Sequence, residues 1–478
     1  MGEIITLHIG QAGINTGAAF WEELIRENGR EIISEAITTP NPPTLILDGR
    51  GGPPNNELVP KYRQPRLKYK SQIRPIANKD AQPPGDYPTR FFQEMKDGSL
   101  VPRTIFVDQG NDPIEPLMNS MLGGCFKRNH SFLYNNRDSG GVSLEVFYDT
   151  DLLGQVGEAV RKHSEATDRL SSIILTYGIA GGVGCGLTKR IIGDLQNELG
   201  PKTTKMGFVV FPSIGNQEGT IEPYNSALAI QDMRKLQLAV MVDNKAILNQ
   251  LYYLKGIEEP TMSDINKCIA QLMSNVTAST RFSSTSSQGL QSMVSSLVPH
   301  RVLPFVFPSY VDSQLLSDLS APSASQLACN ILEPYSRLAS VIPANGKLIS
   351  CYMSMRGPIS QGEALSAAQL MRHSHTFVPF TPCPIKLEVI KQLPRYVPSE
   401  TLTLSSLVNT TATGPYMKRI SDRFHKLWDK RAFYHYFNSW KGSEIRADIE
   451  SIDSIAADYE EMRRYVDPPE QDLEDEDV

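Results

Sequence analysis

The apolar positions of this chain alternate between two spacings. Glu3-Ile-Ile-Thr-Leu-His-Ile9 and Ser172-Ile-Ile-Leu-Thr-Tyr177 are nearly continuous apolar runs, the pattern of strands buried on both faces. Helical spacing follows each: Phe20, Leu24 and Ile25 after the first, and Leu187, Ile191, Ile192 and Leu195 after the second. Residues 103–107, 205–211 and 238–242 read as further strands. Strands alternating with amphipathic helices predict a doubly wound, Rossmann-like α/β domain over residues 1–262. Ser263 reads as an N-cap, and Ile265, Ile269, Leu272, Met273 and Val276 then share one helical face. Beyond about residue 280 the texture changes to Ser-rich turns and short apolar strands at 302–307, 348–355 and 385–390. These predict an intermediate mixed α/β domain, with the helix before it, over 263–414. Two amphipathic helices follow, 415–440 and 443–465, separated near Gly442. The second carries Ile445, Ile449, Ile452, Ala456 and Tyr459 along one side.

Two segments break the pattern. Between about 36 and 88, Pro40-Asn-Pro-Pro43, Gly49-Arg-Gly-Gly-Pro-Pro54 and Pro83-Pro-Gly85 leave no period, which predicts a mobile surface loop. Inside it, Lys61-Tyr-Arg-Gln-Pro-Arg-Leu-Lys-Tyr-Lys70 interleaves basic and aromatic residues. That stretch reads either as a contact for an acidic partner or as a solvated basic loop. The tail 467–478 holds seven acidic residues and no basic one, and so is expected to be disordered and available to basic partners.

Composition narrows the function classes. A chain of 478 residues that is 40% hydrophobic, with a net charge of −6, is long enough for two or three domains with a substantial core. The negative balance argues against generic nucleic-acid binding. No apolar run approaches a membrane span, and no signal peptide is visible at Met1-Gly-Glu-Ile4. The six cysteines form no C-x-x-C pair and read as free, mostly buried thiols. His373 and His375 have no nearby Cys or His to complete a metal site.

Chemistry concentrates at two glycine turns. Gly178-Ile-Ala-Gly-Gly-Val-Gly-Cys-Gly186 joins a strand to a helix, and Gly10-Gln-Ala-Gly13 does the same near the N-terminus. Glycines admit phosphate groups to backbone N–H donors, and the helix dipole favours their charge. The longer loop lacks the Gly-Lys-Ser/Thr of a Walker loop, and its glycine spacing is not the dinucleotide fingerprint. Alone it indicates only a phosphorylated ligand or an unliganded tight turn.

The order of motifs makes the resemblance specific. The two glycine turns, Val101-Pro-Arg-Thr-Ile-Phe-Val-Asp108, Glu222-Pro-Tyr-Asn-Ser226, Met241-Val-Asp-Asn244, Lys430-Arg-Ala-Phe433 and Asp458-Tyr-Glu-Glu461 resemble segments of the tubulin family, over almost the whole chain. Gln11-Ala12, Val101-Pro-Arg103 and Lys430-Arg431 look more like α- than β-tubulin. The resemblance implies the tubulin/FtsZ fold, with a C-terminal helical hairpin at 415–466 ahead of the acidic tail. It also implies bound GTP with Mg2+, a β-type tubulin partner in a heterodimer and polymer, and a cytoplasmic, cytoskeletal location. The 36–88 segment would then exceed the corresponding luminal loop by roughly forty residues. The acidic tail would recruit motors or associated proteins, and it ends in Val478 rather than tyrosine.

Carried onto this chain, the family's pocket places Gln11, Ala12, Gly178, Gly181, Gly182, Val183, Gly184, Cys185 and Gly186 at the phosphates. Asn244 and Asn266 fall at the guanine edge, and Met262 where an aromatic ring stacks on the base. Glu218 falls where a ribose-contacting threonine or aspartate is expected, Glu222 is a further pocket position, and Gln11 and Asp108 fall on the metal side. Several positions depart from the pattern: Val183 replaces a threonine, Gly178 a serine, Cys185 a serine or alanine, and Gly110 the metal-side glutamate. Each lost polar partner costs about 0.5–1.5 kcal/mol, more when it faces a phosphate. In tubulin polymers a glutamate of the α-type second domain positions the water that attacks the next subunit's nucleotide. Ser292 stands in its place, and no Asp or Glu lies between Arg281 and Arg301. A neutral hydroxyl is a poor general base. The stretch 311–332, aligned with the lateral-contact loop, contains no Lys, Arg, His or aromatic residue, the usual anchors across interfaces.

Three readings follow. The first is a divergent α-tubulin-like structural subunit with impaired ability to trigger hydrolysis. The second is a conventional tubulin GTPase, which phosphate release on assembly would test. The third is a non-polymerising capping or regulatory protein, which pelleting with a β-type partner would separate from the first.

Overall fold

Successive residues of the almost continuously buried central strands face opposite sides of the sheet, and that alternation builds two cores. Ile5, Leu7 and Ile9 pack on one face of the sheet with Ile173, Leu175 and Tyr177, while Ile4, Ile174, Phe106 and Phe208 pack on the other. Helices must therefore cover both faces. The computed structural model describes residues 2–28, 30–38, 67–75, 87–135, 141–212, 219–285, 289–314, 322–381, 383–393, 397–437 and 442–465.

The strands are β1 (Glu3–Ile9), β2 (Arg30–Thr38), β3 (Leu67–Pro75), β4 (Phe92–Glu94), β5 (Leu100–Pro102), β6 (Thr104–Val107), β7 (Phe132–Leu133), β8 (Leu170–Gly178), β9 (Thr204–Phe211), β10 (Leu238–Asp243), β11 (Phe305–Asp312), β12 (Leu348–Arg356), β13 (Ile385–Ile390) and β14 (Thr403–Thr410). Ten of them form one sheet in the order β13-β12-β14-β11-β10-β9-β8-β1-β6-β7. From β7 to β11 every pairing is parallel. The mixed part begins where β14 runs antiparallel to β11 and β12. Helices α1 (Gly10–Glu27), α2 (Ile114–Met118), α3 (Arg128–Ser131), α4 (Ser143–Phe147), α5 (Thr150–Glu165), α6 (Gly182–Leu199), α7 (Glu222–Met233), α8 (Asn244–Tyr253) and α9 (Met262–Arg281) belong to the parallel part. Next come α10 (Leu290–Leu297), α11 (Ala324–Asn330) and α12 (Gln361–Ser374), then α13 (Thr413–Trp428) and α14 (Gly442–Arg464), which pack on each other and on α7. The fold is the expected α/β architecture, a large parallel sheet joined edge to edge to a mixed one.

Several expectations need correction. The aperiodic segment from about 36 is not irregular throughout: β2 and β3 pair antiparallel from Arg30↔Pro75 to Thr38↔Leu67. The basic stretch therefore ends in a strand at Leu67, while its beginning, and 39–66 and 76–86, lie outside the described residues. Helix α9 is capped by Thr261, not Ser263. Thr261 and Asp264 form a reciprocal capping box, which satisfies two end groups where a lone serine satisfies one. The strand read at 302–307 starts later and runs Phe305–Asp312. Helix α13 stops at Trp428 rather than 440, because Arg431 and Phe433 adopt positive φ and a 3-10 turn, Tyr434–Phe437, follows. The acidic tail lies outside the described residues.

One buried ionic cluster ties the two parts of the sheet together. Glu27 at the end of α1 meets Arg281 of α9 at 2.8 Å and Arg356 of β12 at 3.0 Å, all three essentially without solvent exposure. The Ser274 hydroxyl also donates to Glu27 at 2.6 Å. Burial pushes the Glu27 carboxyl up, but the two guanidinium groups and Ser274 overcome it and hold it at about 2.

Candidate functional site

Open parallel sheets place ligands at the carboxyl ends of their strands, and both glycine turns lie there. Gly10 directly follows β1 with φ +72°, a conformation that L side chains avoid. A Cβ there would sit 3.2 Å from the Gly184 backbone nitrogen, and one on Gly184 would sit 2.1 Å from the Gly178 carbonyl oxygen. The turns after β1 and β8 are thus packed backbone against backbone. Ala12 closes the contact, lying 3.3 Å from where a Gly178 Cβ would be.

Three helices start at this edge without a side-chain cap. Helix α1 begins after Ile9, α6 after Gly181 and α7 after Ile221, and none of these N-caps accepts a backbone N–H through its side chain. Among the other helices Asp149 caps α5, Asp243 caps α8 and Thr261 caps α9, while α2, α3, α4, α10 and α13 also start without a side-chain cap. Uncapped first-turn N–H groups are donors in search of an anion, reinforced by the helix dipole.

Side chains hold this cradle from behind. Asn225 in α7 donates through Nδ2 to the Ala180 and Gly141 carbonyls at 2.9 and 3.0 Å, pinning the glycine loop. Its Oδ1 is buried without a hydrogen-bond partner among the described residues, an acceptor suited to a ligand hydroxyl. The Cys185 thiol points away from the loop and donates to the Asn225 carbonyl at 2.9 Å. Glu222 is buried and faces Arg423 of α13 at 3.5 Å, so its carboxylate is engaged on the helical side. Asn225 carried no signal beyond its place in Glu222-Pro-Tyr-Asn225, because its role depends on carbonyls the fold brings to it.

The remaining predicted residues distribute along the same edge. Gln11 is exposed, and Val183 half-buried, at the starts of α1 and α6. Gly181 is the N-cap of α6, and Gly182 and Gly186 are buried within its first turns. Asp108 directly follows β6 and accepts the Gly110 N–H at 3.2 Å. Burial raises its carboxyl to about 6, against the lowering effect of the Gly110 and Gln109 N–H groups. Asn244 opens α8, and Asn266 in α9 accepts from the Thr16 hydroxyl at 3.2 Å. Met262, the first residue of α9, is 62% exposed. Glu218 lies outside the described residues. Among those described, no group of three or more His, Cys, Asp or Glu is placed to hold a metal ion, and no helix is long and apolar enough to cross a membrane. The described chemistry therefore fits a polyanion held chiefly by backbone.

Ser292 is not part of this cradle. It lies on α10, which packs against β12, β13 and β14, and its hydroxyl accepts from Lys386 Nζ at 2.5 Å. This position carries an ammonium and a hydroxyl.

Residues 3–252 match the Tubulin/FtsZ family, GTPase domain, and residues 305–422 match the tubulin C-terminal domain. The chain is 26% identical over 476 residues to the "Tubulin alpha chain, nucleomorph" of Guillardia theta, covering 97% of both. It is 27% identical over 476 residues to the "Tubulin alpha-B chain" of Neurospora crassa, again covering 97% of both. Against the "Tubulin alpha chain" of Entamoeba histolytica the identity is 28% over 454 residues, 91% of each chain.

Proposed function

Because the chain belongs to the tubulin/FtsZ family, we propose that it is a divergent α-tubulin-like structural subunit that keeps GTP as a bound cofactor. It pairs longitudinally with a β-type tubulin and enters a microtubule or a specialised tubulin polymer, in the cytoplasmic cytoskeleton. The observation that carries the nucleotide reading is the meeting of three uncapped helix N-termini over the glycine loop. Backbone donors bind phosphate whatever the side chains, so replacing a threonine by Val183 removes one contact and leaves the cradle. Mg2+ would be held by Asp108 and Gln11, where it neutralises phosphate charge.

Ser292 carries the second half of the proposal. A hydroxyl engaged by Lys386 offers no carboxylate to orient or deprotonate a water. The subunit therefore fails to trigger hydrolysis in its neighbour, and its contacts with that nucleotide last longer. The acidic tail serves as the contact for motors or associated proteins, and the extra length between 36 and 88 marks the chain off from ordinary α-type subunits. The capping alternative rests on the stretch 311–332 and its lack of basic or aromatic anchors.

The test is the nucleotide released when the natively purified protein is denatured. Stoichiometric GTP that resists prior exchange with labelled GTP is the expected result. An empty pocket would overturn the reading.

A further inference from the structure

The cation side of the cradle lacks the second carboxylate that the resemblance leads one to expect, since Gly110 stands there. Behind it lies a carboxylate that the sequence did not single out. Asp149 is 1% exposed and sits at the start of α5, where three segments meet. Its Oδ1 accepts the Leu152 N–H at 3.2 Å as the helix cap. Its Oδ2 accepts from Gln109 Nε2 at 3.1 Å and from Asn135 Nδ2. Gln109 belongs to the turn after β6 and Asn135 to the connection after β7, so one side chain joins both to α5.

We propose that Asp149 is the positioning residue for the cation that accompanies the nucleotide. It fixes the turn Asp108-Gln109-Gly110 and aligns the Gln109 amide, so that one carboxylate and one neutral oxygen do the work of two carboxylates. The inference rests on the nucleotide reading above. An ionised carboxylate only accepts, and charge-assisted bonds are the strong ones, so it dictates which end of the Gln109 amide faces it. The other end, Oε1, is then left as an acceptor. It is buried and has no hydrogen-bond partner among the described residues, and it lies one residue from Asp108. Buried acceptors of this kind are normally satisfied. Mg2+ keeps several of its waters and binds through one or two carboxylates, and a water on the ion is the donor that Oε1 lacks.

The test compares binding of a fluorescent GTP analogue in excess Mg2+ and in EDTA, using the full chain. Asp149→Ser keeps a helix-capping oxygen but cannot hold both amides, and Gln109→Met removes the amide oxygen at similar length. Outer-shell partners of a metal typically contribute 10–100-fold. Both variants should lose about tenfold or more of the Mg2+-dependent gain in affinity, with EDTA affinity within about twofold of wild type. An unchanged gain in either variant, or an equal loss with and without Mg2+, overturns the positioning role. If Asp149→Ser fails to fold, Gln109→Met decides alone. Wild-type chain that binds in neither condition overturns the nucleotide reading instead.

Discussion

The glycine cradle and the Ser292 position make a useful comparison, because both belong to nucleotide chemistry yet are built from different material. The cradle is backbone: uncapped helix starts after Ile9, Gly181 and Ile221, held in place by close contact of Gly10, Gly178 and Gly184. The Ser292 position depends on one side chain, and here that side chain is a hydroxyl beside Lys386. A backbone site tolerates wide divergence as long as the strand–turn–helix geometry survives. A side-chain site is lost in one substitution. Binding and triggering hydrolysis can therefore part company within one fold.

The join between the two regions should give the largest effect. Removing one partner of a buried ion pair costs about 3–5 kcal/mol, so Glu27→Gln should lower unfolding free energy by about that much in chemical denaturation. The pH dependence has a defined sign. The Glu27 carboxyl is lowered in the folded chain to about 2, so its contribution is complete above the ordinary glutamate range. It fades as pH falls towards 2. Glu27→Gln should flatten the acid limb of the stability curve, and an unchanged acid limb would contradict the assignment.

Within the cradle, Gly184→Ala tests the backbone claim directly. Its Cβ would meet the Gly178 carbonyl oxygen at 2.1 Å, and overpacking of this kind costs about 1–3 kcal/mol. GTP retention should fall by at least tenfold, read by nucleotide content after gel filtration. Gly181→Ala, where a Cβ meets nothing within 4 Å, should retain nucleotide. Equal behaviour of the two variants would break the comparison.

A smaller effect concerns Asp108. Burial raises its carboxyl to about 6, so the folded chain holds this proton more tightly than the unfolded chain does. Its influence on stability is therefore unfavourable once ionised, growing as pH rises from the ordinary aspartate range to about 6. Mg2+ needs the ionised form. Mg2+-dependent nucleotide affinity should rise through about pH 6, and Asp108→Asn should abolish that rise.

Legibility in the sequence followed the same division. The parallel strands and their glycine turns were readable because continuous apolar runs and glycine clusters are local signals. Ribbon β2–β3 was not, because Leu67-Lys-Tyr-Lys-Ser-Gln-Ile73 is largely polar, and its pairing lies across an insertion. Glu27, Arg281 and Arg356 are distant in the chain, and nothing near any of them announces a shared cluster. Asn225 and Asp149 were missed for a related reason: their partners are carbonyls and amides that only the fold collects. Cys185 shows the converse, since its place in the glycine loop was legible but the direction of its thiol was not.

The most direct test of the central claim is phosphate release during co-assembly with a β-type tubulin, comparing wild-type chain with Ser292→Glu. The account predicts assembly with little phosphate released by wild type. Restoring the carboxylate should speed release by at least the hundredfold typical of a positioned general base. Rapid, stoichiometric release by the wild-type chain, unchanged in Ser292→Glu, would contradict it.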